Sequence, residues 1–132
     1  MNKKILLLGL IMLITIFITG CFSIPPTIGL ASVDEIDILI LESFPIQINV
    51  IAKGNLPDPC TEISEVLQEK EGNTFFITIK TYSFSGFCIQ VLAPFEEIIP
   101  LEVYGLPAGT YTVDVNGVQD TFDLLVDNIL SI

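Results

Sequence analysis

Three stretches of the chain alternate apolar and polar side chains with a period of two. Ile46, Ile48 and Val50 alternate with Gln47 and Asn49. Phe75, Ile77, Ile79 and Thr81 alternate with Phe76, Thr78, Lys80 and Tyr82, and Tyr111, Val113 and Val115 with Thr110, Thr112 and Asp114. A strand points successive side chains to opposite faces, so this period predicts strands with one face buried and the other wet. From Val33 onward, short apolar runs recur between turn signals at intervals of about 8 to 12 residues, the rhythm of a sandwich or barrel. Asn116-Gly117, between Val115 and Val118, predicts a two-residue hairpin, because both central positions of that turn need positive φ. Gly72-Asn73 plays a similar part ahead of Thr74. Pro100 has no amide hydrogen to give a neighbour and fits only an edge or a bulge. Residues 58–71 admit two readings. They could form a helix capped by Asp58, with Ile63, Val66 and Leu67 on one face and Gly72 as the stop. A strand joined to the next one through Gly72-Asn73 is the more economical reading. The expectation is all-β, a single antiparallel β-sandwich of about seven or eight strands over 33–132.

The N-terminus follows a different pattern. Lys3 and Lys4 precede an apolar run from Ile5 to Phe17, and Ile18, Thr19 and Gly20 lead into Cys21. Basic residues hold the cytoplasmic end, the apolar run partitions into the bilayer and small residues suit a peptidase, which is the layout of an export signal. The run is shorter than the roughly 20 residues a membrane-spanning helix needs. Ile18-Thr19-Gly20-Cys21 resembles the lipobox of bacterial lipoproteins, with Ile18 where that family usually has Leu. The resemblance implies a diacylglyceryl group on the Cys21 thiol and cleavage just before it. Residues 1–20 would then be a lipoprotein signal peptide and 21–32, with Pro25 and Pro26 and no periodicity, a lipid-anchored tether. The domain would stand on the extracytoplasmic side of a cell membrane or outer membrane. Phe22, in place of the Asp that commonly retains lipoproteins at the inner membrane, points to outer-membrane sorting in a two-membrane cell. The alternative is a plain secreted protein with Cys21 unmodified.

Charge narrows the function classes. The net charge is −11 over the whole chain. Past Cys21 only Lys53, Lys70 and Lys80 oppose all sixteen acids, a net charge of −13. Such a domain repels nucleic acid and stays soluble. Arg is absent, and with no His the commonest general base and the commonest metal ligand are missing together. No Ser or Cys triad of the usual kind is available, and the glycines are scattered at turns instead of gathered in a phosphate-cradling loop. The expectation is no enzyme, no cofactor and no metal. Glu96 and Glu97 are adjacent and so would point to opposite faces of a strand. Asp34, Glu35 and Asp37 could join Asp120, Asp123 and Asp127 around calcium only if the first and last strands brought them together. A solvated acidic surface is the plainer reading.

With Cys21 assigned to lipid, Cys60 and Cys88 remain, in a compartment where thiols oxidise. One bridge is possible, closing a loop of about 28 residues and restricting the unfolded chain by roughly 3 to 4 kcal/mol. Two separate buried thiols are the alternative. No His exists to activate either as a nucleophile. Tyr82, Phe84 and Phe87 cluster just ahead of Cys88. They would form either a binding loop held rigid at one end by the bridge, or a set of rings capping one end of the core.

Several runs together resemble a known group: Gly54-Asn55-Leu56-Pro57-Asp58-Pro59-Cys60-Thr61-Glu62-Ile63, Gly72-Asn73-Thr74-Phe75, Cys88, Pro94-Phe95-Glu96-Glu97, and Gly105-Leu106-Pro107-Ala108-Gly109-Thr110-Tyr111-Thr112-Val113 with Val115-Asn116-Gly117. From about Phe44 to Phe122 the chain is similar to the immunoglobulin-like or fibronectin-like β-sandwich modules of exported prokaryotic proteins. The resemblance implies an immunoglobulin-like fold, a Cys60–Cys88 bridge and a strand after Cys60. It implies no activity. The Trp that packs on the disulfide of antibody domains is absent. The functional expectation is a non-enzymatic cell-envelope lipoprotein, its sandwich a binding or structural module with a possible envelope protein partner. Its competitor is an inhibitor of exported peptidases, since small immunoglobulin-like domains can insert end loops into a protease cleft.

Overall fold

The alternating stretches form strands, and their buried positions meet in one core. The computed structural model describes residues 2–16, 20, 25–84 and 86–130. A helix, α1 (Lys3–Ile16), covers the basic and apolar start of the chain. No helix among the described residues is long and apolar enough to cross a membrane. Eight strands follow: β1 (Thr27–Leu30), β2 (Ser32–Leu41), β3 (Gln47–Leu56), β4 (Thr61–Glu71), β5 (Thr74–Ser83), β6 (Ala93–Pro100), β7 (Gly109–Val115) and β8 (Val118–Leu124). Sheet one holds β1, β4, β5, β7 and β8, and sheet two runs β2-β3-β6. The expected all-β sandwich is present.

β5 is the hub of the larger sheet. Along one edge it pairs with β4 from Glu71↔Thr74 to Thr61↔Ser83. Its other edge is divided between β7, over Thr74–Ile77, and β1, over Lys80–Ser83. Two features differ from the sequence reading, and a third matches the strand it preferred. First, β5 and β7 run parallel. The chain leaves β5, crosses to the other sheet as β6 and returns as β7, and one out-and-back excursion restores the original direction. Second, strand pairing begins at Thr27, inside the range expected to be tether. All four β1 residues are exposed, so this strand leaves no period-two signal. Third, the ambiguous segment is a strand, and a bulge between Ile63 and Glu65 explains its helical look. The bulge absorbs one residue, so Ile63 and Val66 both reach the core at a spacing of three.

Ile48, Val50 and Ala52 of β3, Phe75, Ile77 and Ile79 of β5, and Tyr111, Val113 and Val115 of β7 belong to a single buried cluster. Phe75, Tyr111 and Phe122 pack with ring centroids 5.5 to 6.1 Å apart. Each such side chain contributes roughly 2 to 3 kcal/mol through burial. The Tyr111 hydroxyl donates to the Pro107 carbonyl at 2.7 Å. This places a buried ring with its polar tip satisfied at the start of β7, the tyrosine-corner arrangement of Greek-key sandwiches. In β3, Gly54 lies so close to β2 that an added Cβ would collide with the Ser32 carbonyl oxygen. Only glycine permits that approach.

Two asparagines complete backbone pairing where strands leave off. At the Asn116-Gly117 hairpin, Asn116 has φ 49° and Gly117 φ 96°, as the turn requires. The Asn116 side chain then fills the seam between β7 and β1 along β5. Its Oδ1 accepts from the Ile79 amide at 3.0 Å, and its Nδ2 donates to the Ala31 carbonyl at 2.8 Å and the Ile79 carbonyl at 3.0 Å. Beyond β8, fully buried Asn128 does the same at the opposite end. It accepts from the Ile46 amide at 2.7 Å and donates to the Ile46 and Val103 carbonyls, each at 3.0 Å. A carboxamide carries the donor and acceptor of a peptide group, so it can stand in for one where the strand is interrupted.

Candidate functional site

Cys60 and Cys88 form a disulfide, with Cα atoms 6.1 Å apart. Local chemistry sets up the Cys60 side. The Asp58 carboxylate accepts from the Cys60 amide at 3.0 Å and the Thr61 hydroxyl at 2.9 Å, an Asx turn that aims Cys60 outward at the start of β4. Beside it the Phe84 amide donates to the Cys60 carbonyl at 3.2 Å, carrying the β4–β5 pairing one residue past Ser83. The bridge therefore fastens the middle of the β5–β6 connection to the sheet it has just left.

The rings of that connection do not cap the core. Tyr82 lies on the outer face of β5, opposite buried Thr81, and packs edge-on against Phe84 with centroids 5.0 Å apart. Phe84 is 53% exposed and Phe87 is fully exposed. The structure thus leaves Phe84 and Phe87 on the outside, with Tyr82 packed against Phe84. It adds Ile89, Val91 and Leu92, which sequence reasoning missed and which are all more than half exposed. Ile28 of β1 pairs with Tyr82 and is also exposed. One signal could have found the whole surface: no charged residue lies between Lys80 and Glu96, in a domain otherwise dense in acids.

Other candidates are dispersed. Cys21 lies outside the described residues. Asp34 accepts from Asn55, Asp37 pairs with Lys53 at 3.5 Å, Asp123 accepts from the Thr110 hydroxyl, and Asp127 accepts from the Ala108 amide. Among the described residues, the one set of three potential metal ligands within 4.8 Å of one another is Asp58, Cys60 and Cys88. Both of its sulfurs are bonded to each other, which leaves a lone carboxylate. Asp34, Glu35 and Asp37 are not gathered with Asp120, Asp123 and Asp127 around a common point. Glu96 is exposed and Glu97 half-buried, on opposite faces of β6. A shallow depression beside the start of β3, lined by Ile46, Ile48, Leu101, Glu102, Val103 and Tyr104, brings no second carboxylate or thiol to Glu102.

Comparison with known proteins agrees with the architecture. Residues 50–124 match the ORF11 beta-sandwich domain. An uncharacterized 10.2 kDa protein in the HgiCIIM 5' region of Herpetosiphon aurantiacus is 36% identical over 93 residues, covering 70% of this chain and 98% of that protein. A second uncharacterized 10.2 kDa protein of the same organism, in the HgiBIM 5' region, is 36% identical over 83 residues, covering 62% of this chain and all of that protein. No solved structure matches the chain. With more than half its length matched, and a core, hairpin and two-sheet layout to go with the match, this chain belongs to the ORF11 beta-sandwich domain family.

Proposed function

We propose that the protein is an exported lipoprotein, held by lipid on Cys21 at the outer side of a prokaryotic membrane, where its sandwich is a non-enzymatic binding module. The observation that carries this reading is the order of the N-terminal residues: Lys3 and Lys4, the apolar run from Ile5, then Ile18-Thr19-Gly20-Cys21. A disulfide at Cys60–Cys88 suits an oxidising compartment and supports export. The absence of His and the scatter of the carboxylates support binding over catalysis. The surface offered for binding is the exposed loop around Phe84 and Phe87, which the bridge holds in place.

Metabolic labelling with palmitate tests the anchor. The expected result is label in the wild-type chain, none in Cys21→Ser, and a larger, uncleaved form under globomycin. Unlabelled wild type in the culture supernatant would end the reading. A second reading, inhibition of exported peptidases, draws on the same rigid end loop. Assays against a panel of cysteine and serine peptidases separate the two, with no inhibition at micromolar domain expected.

A further inference from the structure

We propose that the apolar end of the sandwich is a bilayer-contact surface, in which Phe84, Phe87, Ile89, Val91 and Leu92, with Ile28 beside them, enter the interfacial layer of the membrane. This names the ligand of the loop described above, and it rests on the Cys21 anchor for its geometry.

Placement is the first argument. Thr27 pairs with Ser83, so the chain arriving from Cys21 joins the sheet next to the residue that precedes Phe84. Six residue steps separate Cys21 from Thr27, a reach of at most about 20 Å when extended. The strands β4 and β5, with 11 and 10 residues, run roughly 33 to 37 Å. A leash shorter than the body it holds keeps the Thr27 end within about 20 Å of the bilayer, so the domain cannot stand upright on its Asn128 end.

Charge is the second. No charged residue occurs between Lys4 and Asp34 or between Lys80 and Glu96, and these are the two segments that meet at Thr27 and Ser83. Carboxylates lose hydration at a membrane interface and are repelled by anionic headgroups, whereas aromatic rings settle at headgroup level. Acids border this end: Asp58, which is engaged with Cys60 and Thr61, Asp34, which accepts from Asn55 in a depression shared with Glu35 and Glu96, and exposed Glu62, opposite Tyr82 in the sheet.

Shape is the third. The disulfide ties the loop at Cys88 to Cys60, so the rings ahead of it are held out from the core.

The chain contains no Trp, so one introduced indole reports its surroundings without interference. The full-length protein carrying Phe87→Trp is purified from membranes and reconstituted in phosphatidylcholine vesicles. Leu125→Trp, at an exposed position of the opposite end, serves as control. We expect the reporter at position 87 to be blue-shifted and quenched several-fold more by chain-brominated lipid than the control, which stays open to aqueous iodide. Equal iodide access at both positions overturns the proposal. So does shielding at 87 without quenching by brominated lipid, because a protein would then cover the loop. If mass spectrometry finds no lipid on Cys21, the anchor reading has failed separately. The same two proteins are then mixed with preformed vesicles: lipid quenching confined to position 87 sustains the contact surface, and its absence overturns it.

Discussion

The two ends of the sandwich both expose apolar side chains, yet they are closed by different means and set in different company. At the far end, Phe44, Tyr104, Leu125, Val126 and Ile129 are exposed among Glu42, Glu102, Asp123 and Asp127. That end is closed from within, by buried Asn128 bridging Ile46 and Val103. At the Thr27 end the closure is a covalent bridge on the surface, and the segment 81–95 that carries the apolar residues holds no charge, with Asp58 and Glu62 at its border. Apolar atoms interspersed with carboxylates are ordinary protein surface. An apolar loop without charges, held out by a crosslink, is the surface proposed for bilayer contact. The difference teaches that exposure alone does not distinguish the ends, whereas charge and closure do.

Asn128→Asp should break the far end most severely. A carboxylate there would face the Ile46 and Val103 carbonyls at full burial, and we expect a loss of about 3 to 5 kcal/mol, read as a lowered denaturation midpoint. Removing the bridge with Cys60→Ala and Cys88→Ala should cost about 3 kcal/mol and leave the far end intact, which hydrogen exchange at Ile46 and Val103 would register. Asn116→Asp keeps a residue that tolerates positive φ but loses both donors to Ala31 and Ile79. A loss of about 2 kcal/mol is expected, with faster exchange along β1. Phe87→Ser should change stability by less than about 0.5 kcal/mol, since the ring touches no core residue. A clear drop in melting temperature for Phe87→Ser would return the loop to the core and erase the contrast.

Much of the fold is legible in the sequence wherever burial is one-sided. β3, β5 and β7 alternate strictly because one face of each meets the core, and the Asn116-Gly117 turn announces itself through φ. β1 is invisible because none of its side chains is buried. β4 looks helical because its bulge breaks the alternation. The parallel β5–β7 pair has no local signature, since direction is set by the path through β6. The roles of Asn116 and Asn128 are equally hidden. Asparagine reads as a turn or surface residue, and only three-dimensional proximity reveals which peptide groups its carboxamide completes. In the candidate loop the rings of Tyr82, Phe84 and Phe87 stand out as residue types. Ile89 and Val91, flanking Gln90, carry the pattern of a half-buried strand, yet both are exposed on the connection that follows the bridge.

Intact mass spectrometry of the protein from its native membrane, with and without reduction, tests the central claim most directly. The account predicts a chain beginning at Cys21, heavier by its acyl groups, that takes up alkylating reagent at Cys60 and Cys88 only after reduction. An unmodified chain still carrying residues 1–20, with both thiols free to alkylate, would contradict it.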